Sequence, residues 1–375
     1  MIDFELTEEQ KLLKTAARDF LTAKCPDSLV RAMRKDEFGY PKPLWQEIAG
    51  MGWAGLLVPK EYGGEGGDFL DFGILIEEMG RVCLPGPFFA SAVCSALIIS
   101  KGGSEQQKQE LLPKIAGGES ITVLALTEGN AEVVPSSIKT KAARSGSAYA
   151  IKGVKFPVSF ANTADYILCA ARTGRSANDI SLFLVNSNEP GVKCSPTDVV
   201  SGDKQFKIEF NGVKVSGDNL VGELNQGWEI VQKVYPQIVI AKCLEMVGGA
   251  QKVLEMTLAY CSARKQFGHL IGSYQSIQHH CANMVLAIDG AKFLTYQAAW
   301  MLSKGLPCAT EVAMAKSRIS KVYREVTFLS HQIHGAVAFC DDHALPLYIR
   351  RSIEAEEMFG SVDSQLETVA RGIGL

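Results

Sequence analysis

Arg264-Lys265-Gln266-Phe267-Gly268, followed by Gln275-Ser276-Ile277-Gln278-His279, decides how the second half of this chain is read. The stretch lies between two long helical patterns and gathers cationic, aromatic and amide side chains at their junction. Arg264 can fork two hydrogen bonds onto a phosphate, Phe267 can stack on a ring, and Gln275 offers both a donor and an acceptor. Such a junction suits a large, flat, anionic ligand. Taken alone, it is also what a charged helix end looks like.

Outward from this stretch, helical periodicity covers four segments, roughly 228–263, 273–303, 309–337 and 344–372, broken at Gly268, Gly272, Gly305–Pro307 and Gly335. Their number and length predict an antiparallel four-helix bundle. Upstream the period falls to two. Ile121–Leu126, Tyr149–Ile151, Tyr166–Ala171 and Ile180–Val185 read as strands. Phe206, Ile208 and Phe210 alternate with charged residues, and Asn211-Gly212 predicts a hairpin returning through Val213 and Val215. Strands this short and closely spaced predict an antiparallel β-barrel or sandwich. Residues 7–118 are again helical, with a Thr7–Gln10 capping box, a helix over Phe69–Val82, another over Phe88–Ser100, and Ser104 capping a fourth. The order predicts an α+β chain with an N-terminal helical domain (1–118), a central β domain (119–226) and a C-terminal bundle (227–375).

Composition narrows the function. With 375 residues at 47% hydrophobic the chain can bury a large core, and a net charge of -3 gives no electrostatic pull toward nucleic acid or acidic membranes. No apolar run reaches membrane-spanning length, and the acidic start Met1-Ile2-Asp3-Phe4-Glu5 lacks the features of a signal peptide. Ten scattered cysteines without a Cys-x-x-Cys pair suggest reduced thiols and a cytoplasmic location. His279-His280 has no partner at ligand spacing, so no metal is expected; His331, His334 and His343 read as packing or hydrogen-bonding residues.

Four strings in order resemble the acyl-CoA dehydrogenase family along essentially the whole chain: Val58-Pro59-Lys60-Glu61-Tyr62-Gly63-Gly64, Leu126-Thr127-Glu128, Arg264 to Gly268, and Gln332-Ile333-His334-Gly335. The resemblance implies non-covalent FAD, an acyl-CoA substrate, electron-transfer flavoprotein as acceptor, and a homo- or hetero-tetramer whose flavin site spans a subunit boundary. It implies that Thr127 and Ser159 face the flavin ring, that Arg264 meets the pyrophosphate with Phe267 and Gln275 nearby, and that Gln332 and Gly335 approach the neighbouring subunit's dinucleotide. Pro157 stands where the family has an aromatic residue, and Ala336 where it has a second glycine.

The implied reaction removes an α-proton from an acyl thioester as a β-hydride passes to flavin, and it needs a carboxylate base. The two positions that usually hold it are Phe359 and Ile238 here. Glu245, two turns beyond Ile238 on the same helical face, is the expected base or else a buried structural acid. Asp363 and Glu357 are weaker alternatives, and Glu354, Glu356 and Glu357 read as a solvated helix face. Phe359-Gly360 after Leu347–Arg351, together with Glu245 and His334, resembles the branch that forms mixed large- and small-subunit assemblies on bulky, cyclic or dicarboxylic acyl-CoAs. Gly129–Val134 replaces the Gly-Ser-Asp run of fatty-acyl members, which implies a remodelled loop over the thioester. The alternative is a catalytically degenerate partner subunit.

Overall fold

The computed structural model describes residues 6–129 and 132–375. The helices run α1 Glu8–Lys24, α2 Asp27–Lys35, α3 Lys42–Gly50, α4 Phe69–Arg81, α5 Ala96–Gly102 and α6 Glu105–Ala116 before the sheet, and α7 Gly227–Ala263, α8 Gln275–Ser303, α9 Ala309–His334, α10 Leu345–Glu357 and α11 Val362–Gly372 after it. The capping boxes at Thr7–Gln10 and Ser104–Gln107 both form. The helix expected from Phe88 opens as a π-helix over Phe89–Ser95 and becomes regular at α5. The helices α2 and α3 were not separately legible in sequence.

The strands are β1 Thr122–Ala125, β2 Lys141–Ser145, β3 Ala148–Ser159, β4 Tyr166–Arg172, β5 Ile180–Asn186, β6 Val192–Thr197, β7 Gln205–Ser216 and β8 Leu220–Val221. They form one sheet of order β6-β7-β3-β2-β4-β5-β8, with β1 parallel to β4. The sheet does not close on itself, so the expected barrel is an open sheet, compatible with the sandwich alternative. The predicted Asn211-Gly212 hairpin is also corrected. The strand β7 runs straight through, and its register against β3 slips between Ile151↔Val213 and Lys152↔Asn211, leaving Gly212 as the extra residue of a bulge. Gly212 has φ 71°, the conformation that both a tight hairpin and a glycine bulge require. Local sequence does not separate the two; the long partner strand β3 decides.

The chain divides into two compact units. One comprises Met1–Ala32, Phe69–Leu84 and Val239–Leu375, the other Met33–Asp68 and Pro85–Ile238. In the first, glycines let helices approach closely. A Cβ at Gly248 would run into the Glu77 carbonyl oxygen, and one at Gly80 into that of Glu245. Glu77, fully buried on α4, ties three helices: Lys14 of α1 lies 2.6 Å away, Lys292 of α8 lies 3.6 Å away, and the Tyr296 hydroxyl of α8 donates to it. The fourth predicted bundle segment is two helices, α10 and α11. Phe359 and Gly360 both take positive φ, 60° and 100°, and turn the chain between them.

In the second unit the core is the apolar face of the sheet, where Ile151, Leu168, Leu182, Ile208 and Val213 have no exposed surface. Trp45 of α3 donates to the Gly118 carbonyl at 2.9 Å, which fastens the end of α6. No helix among the described residues is long and apolar enough to cross a membrane.

Candidate active site

In the sheet unit, Thr127 follows β1 and sits beside the end of β3. Its backbone carbonyl accepts from Phe156 N (2.9 Å), Gly129 N donates to Phe156 O (2.7 Å), and the Thr127 hydroxyl donates to Pro157 O (3.3 Å). Among the described residues nothing accepts from the Thr127 N–H. Ser159, at the end of β3, is half-buried, and its hydroxyl accepts from Gln205 Nε2 at 2.9 Å. The structure therefore brings Thr127 to the Phe156–Pro157 step, while Ser159 is engaged by Gln205. Pro157 is exposed.

Next to Thr127 stands Glu128, which sequence reading named only as half of a Thr-Glu pair. Its carboxylate accepts from Lys155 Nζ (2.7 Å), Lys139 N (2.8 Å) and Thr140 N (2.9 Å). Lys155 is fully buried and also donates to Leu126 O at 3.1 Å. Burial alone would raise the Glu128 carboxyl, but Lys155 and the two amides hold it below its ordinary value. Lys155 carried a readable signal: in β3 it shares the inward parity of Ile151, while Val154 points out, 41% exposed. An inward lysine needs a partner.

In the helical unit, Arg264 to Leu270 form a small hairpin, β9 Lys265–Gln266 against β10 His269–Leu270. Phe267 and Gly268 make the turn at φ 52° and 81°, and Phe267 stands 90% exposed. The hairpin is fastened from below: Ile271 N donates to Arg264 O (2.9 Å), and Tyr274 Oη donates to Gln266 O (3.0 Å). The exposed Arg264 guanidinium makes no ion pair or hydrogen bond with a described residue. Gln275, also exposed, is the first residue of α8. Gln332 is exposed on the last turn of α9, and Gly335 ends that helix at φ 70°, with open space where a side chain would be. His334 is buried there, stacked on Tyr260 at 4.2 Å, its Nδ1 2.8 Å from the Ser330 carbonyl. Exposed cation, projecting ring and open glycine fit a dinucleotide's phosphates, adenine and close backbone approach.

Glu245 is half-buried on α7. Its Oε2 lies 2.7 Å from Lys242 Nζ, and its Oε1 lies 4.0 Å from Arg351. Ile238 is buried and Phe359 half-buried, so the two customary acid positions are apolar. Asp363 and Glu357 are exposed. The expected solvated acidic face is corrected in part, because Glu356 pairs with Arg324 at 2.6 Å and its side chain is only 14% exposed. A residue that sequence reading missed is Lys316. Fully buried on α9, it donates to the carbonyls of Ala355 and Glu356 (both 2.9 Å) and so ties down the end of α10, just before Phe359. Burial depresses its ammonium to about 8. Of the loop Gly129–Val134, Asn130 and Ala131 lie outside the described residues, as does the start Met1–Glu5.

The fold and these strings coincide with three family models: the acyl-CoA dehydrogenase N-terminal domain over residues 7–119, the middle domain over 123–213 and the C-terminal domain over 225–374. The chain belongs to the acyl-CoA dehydrogenase family, whose members are flavoprotein oxidoreductases. It is 31% identical to the Probable acyl-CoA dehydrogenase YngJ of Bacillus subtilis, over 99% of each chain. It is 28% identical to the Caffeyl-CoA reductase-Etf complex subunit CarC of Acetobacterium woodii, over 90% of each. Among solved structures, butyryl-CoA dehydrogenase of Megasphaera elsdenii superposes with a TM-score of 0.91 at 26% identity, over 99% of this chain and 100% of that one.

Proposed function

We propose that this chain is an FAD-dependent oxidoreductase of acyl-CoA thioesters, acting between the α and β carbons of a bulky, cyclic or dicarboxylic acyl group and exchanging electrons with electron-transfer flavoprotein. The observation that carries the reading is the uncommitted Arg264–Phe267 hairpin on a chain of this family. Arg264 would hold the pyrophosphate, with Phe267 and Gln275 beside it. Thr127 and Ser159 would meet the flavin ring, and Gln332 and Gly335 would receive the dinucleotide of a second subunit in a homo- or hetero-tetramer. FAD, when bound, supplies a two-electron acceptor for the substrate's β-hydride. The Etf complex named for the Acetobacterium woodii relative supports electron-transfer flavoprotein as partner. Ten free thiols support a reducing, cytoplasmic setting.

Glu245 is the proposed base. Lys242 engages Oε2 and orients the carboxylate, and Oε1, with Arg351 4.0 Å away, would receive the α-proton. Purified protein titrated with FAD should bind it, and addition of a suitable acyl-CoA should bleach the flavin. E245Q should keep FAD and lose turnover by about a hundredfold or more. Unchanged turnover in E245Q removes Glu245 from the chemistry, and absence of FAD binding removes the whole reading.

A second reading is favoured by two observations: Ile238 and Phe359 are apolar where acids usually sit, and Glu245 is already ion-paired. On that reading the chain is the degenerate small subunit of a mixed assembly. Co-purification with a second family member that restores turnover would support it. A homo-oligomer with full FAD content and its own turnover would exclude it.

A further inference from the structure

We propose that the buried Lys155–Glu128 pair is the positioning device of the flavin edge: it closes the loop after Glu128 at its base and sets Thr127 against the Phe156–Pro157 step. The inference rests on the FAD reading and names the residues that organise that site without touching the cofactor.

One carboxylate holds both ends of a loop. Glu128 stands at its start, and its oxygens accept from Lys139 N (2.8 Å) and Thr140 N (2.9 Å) at its finish. Lys155 reaches the same carboxylate at 2.7 Å from inside the sheet and, with its remaining reach, holds Leu126 O at 3.1 Å. These bonds fix the residues on both sides of Thr127. The backbone bridge between Thr127–Gly129 and Phe156 then aligns the Thr127 strand end with the end of β3. Arg172 fastens the loop further along, donating to Pro135 O at 2.8 Å and Ile138 O at 3.1 Å. Amid this network the Thr127 N–H is left without a described acceptor, a donor held in place and available.

Stability alone does not call for this arrangement. A buried ion pair is matched or exceeded by apolar residues of similar volume, because desolvation offsets the attraction. What an apolar pair cannot do is accept two backbone amides and one ammonium at once, and so dictate where a strand end stops. The pair holds Thr127 through its two neighbours, Leu126 and Glu128.

The experiment compares wild type, K155M, E128Q and the double variant. FAD affinity is read by quenching of flavin fluorescence, the visible circular dichroism of bound flavin is recorded, and the thermal midpoint of the FAD-free protein is measured. Each single variant should weaken FAD binding by about tenfold and alter the flavin dichroism, and the double should be no weaker than the worse single, since one device is lost once. FAD affinity and dichroism equal to wild type, with only the thermal midpoint lowered, would show a purely structural pair and overturn the inference. Wild type that binds no FAD would instead overturn the parent reading. Should K155M not fold, E128Q decides alone: it is nearly isosteric and still offers Lys155 an acceptor.

Discussion

Gly248 and Gly80 carry a stringent demand for so small a residue. Each faces a backbone carbonyl of a neighbouring helix, Glu77 O and Glu245 O, and a carbonyl cannot swing aside as a side chain can. G248A should therefore cost about 1–3 kcal/mol through overpacking, read from the chemical-denaturation midpoint. A midpoint equal to wild type would mean that α4 and α7 are free to separate. Tertiary packing is the cause: Gly248 and Gly80 let α4 and α7 approach backbone to backbone. Arg264, Phe267 and Gln275 were legible because their type and spacing are local. Lys155 was visible only as a misplaced inward charge, and Lys316 not at all, since its partners lie about forty residues away on α10.

At the scale of elements, Asn211-Gly212 shows how one local conformation serves two architectures. A glycine at positive φ can turn a strand back or bulge it within a ladder. Gly212 has open space around its missing Cβ, so the constraint there is backbone conformation alone. G212V should cost about 1–2 kcal/mol in thermal or chemical unfolding, while G212N should be close to neutral, because asparagine tolerates the left-handed region. Equal effects of the two would place the strain elsewhere. The division of the last helical segment has a similar cause. Periodicity continues from Leu345 to Gly372, but Phe359-Gly360 turns the backbone, and Lys316 holds the helix end that precedes it.

Over the whole molecule, buried charge sets the response to acid. Burial works to raise the Glu77 carboxyl, but Lys292, Lys14 and Tyr296 together bring it below 4.5. The unfolded chain therefore takes up that proton first, so the contribution is complete above 4.5 and lost as pH falls below it. His334 and His343 are depressed below 6.5, chiefly by burial, so their share begins to be lost earlier, as pH falls through 6.5. Unfolding midpoints measured from neutral pH down to about pH 4 should fall in two stages. E77Q should cost about 3 kcal/mol or more at neutral pH, by removing the carboxylate that Lys14 and Lys292 share, and should flatten the lower stage. An unchanged lower stage would assign it to other carboxylates.

By itself the sequence determined the three-part order of helices, strands and helices, the family, and the charged, aromatic junction at Arg264–Gly268. Hydrophobic period, capping boxes and short motifs are properties of neighbours along the chain. Tertiary structure alone decided that the sheet stays open, that Asn211-Gly212 bulges, that Glu245 meets Arg351, and that Lys155 closes on Glu128. Those outcomes depend on which distant strand or helix supplies the facing partner, and a buried charge or a positive-φ glycine takes its meaning from that partner.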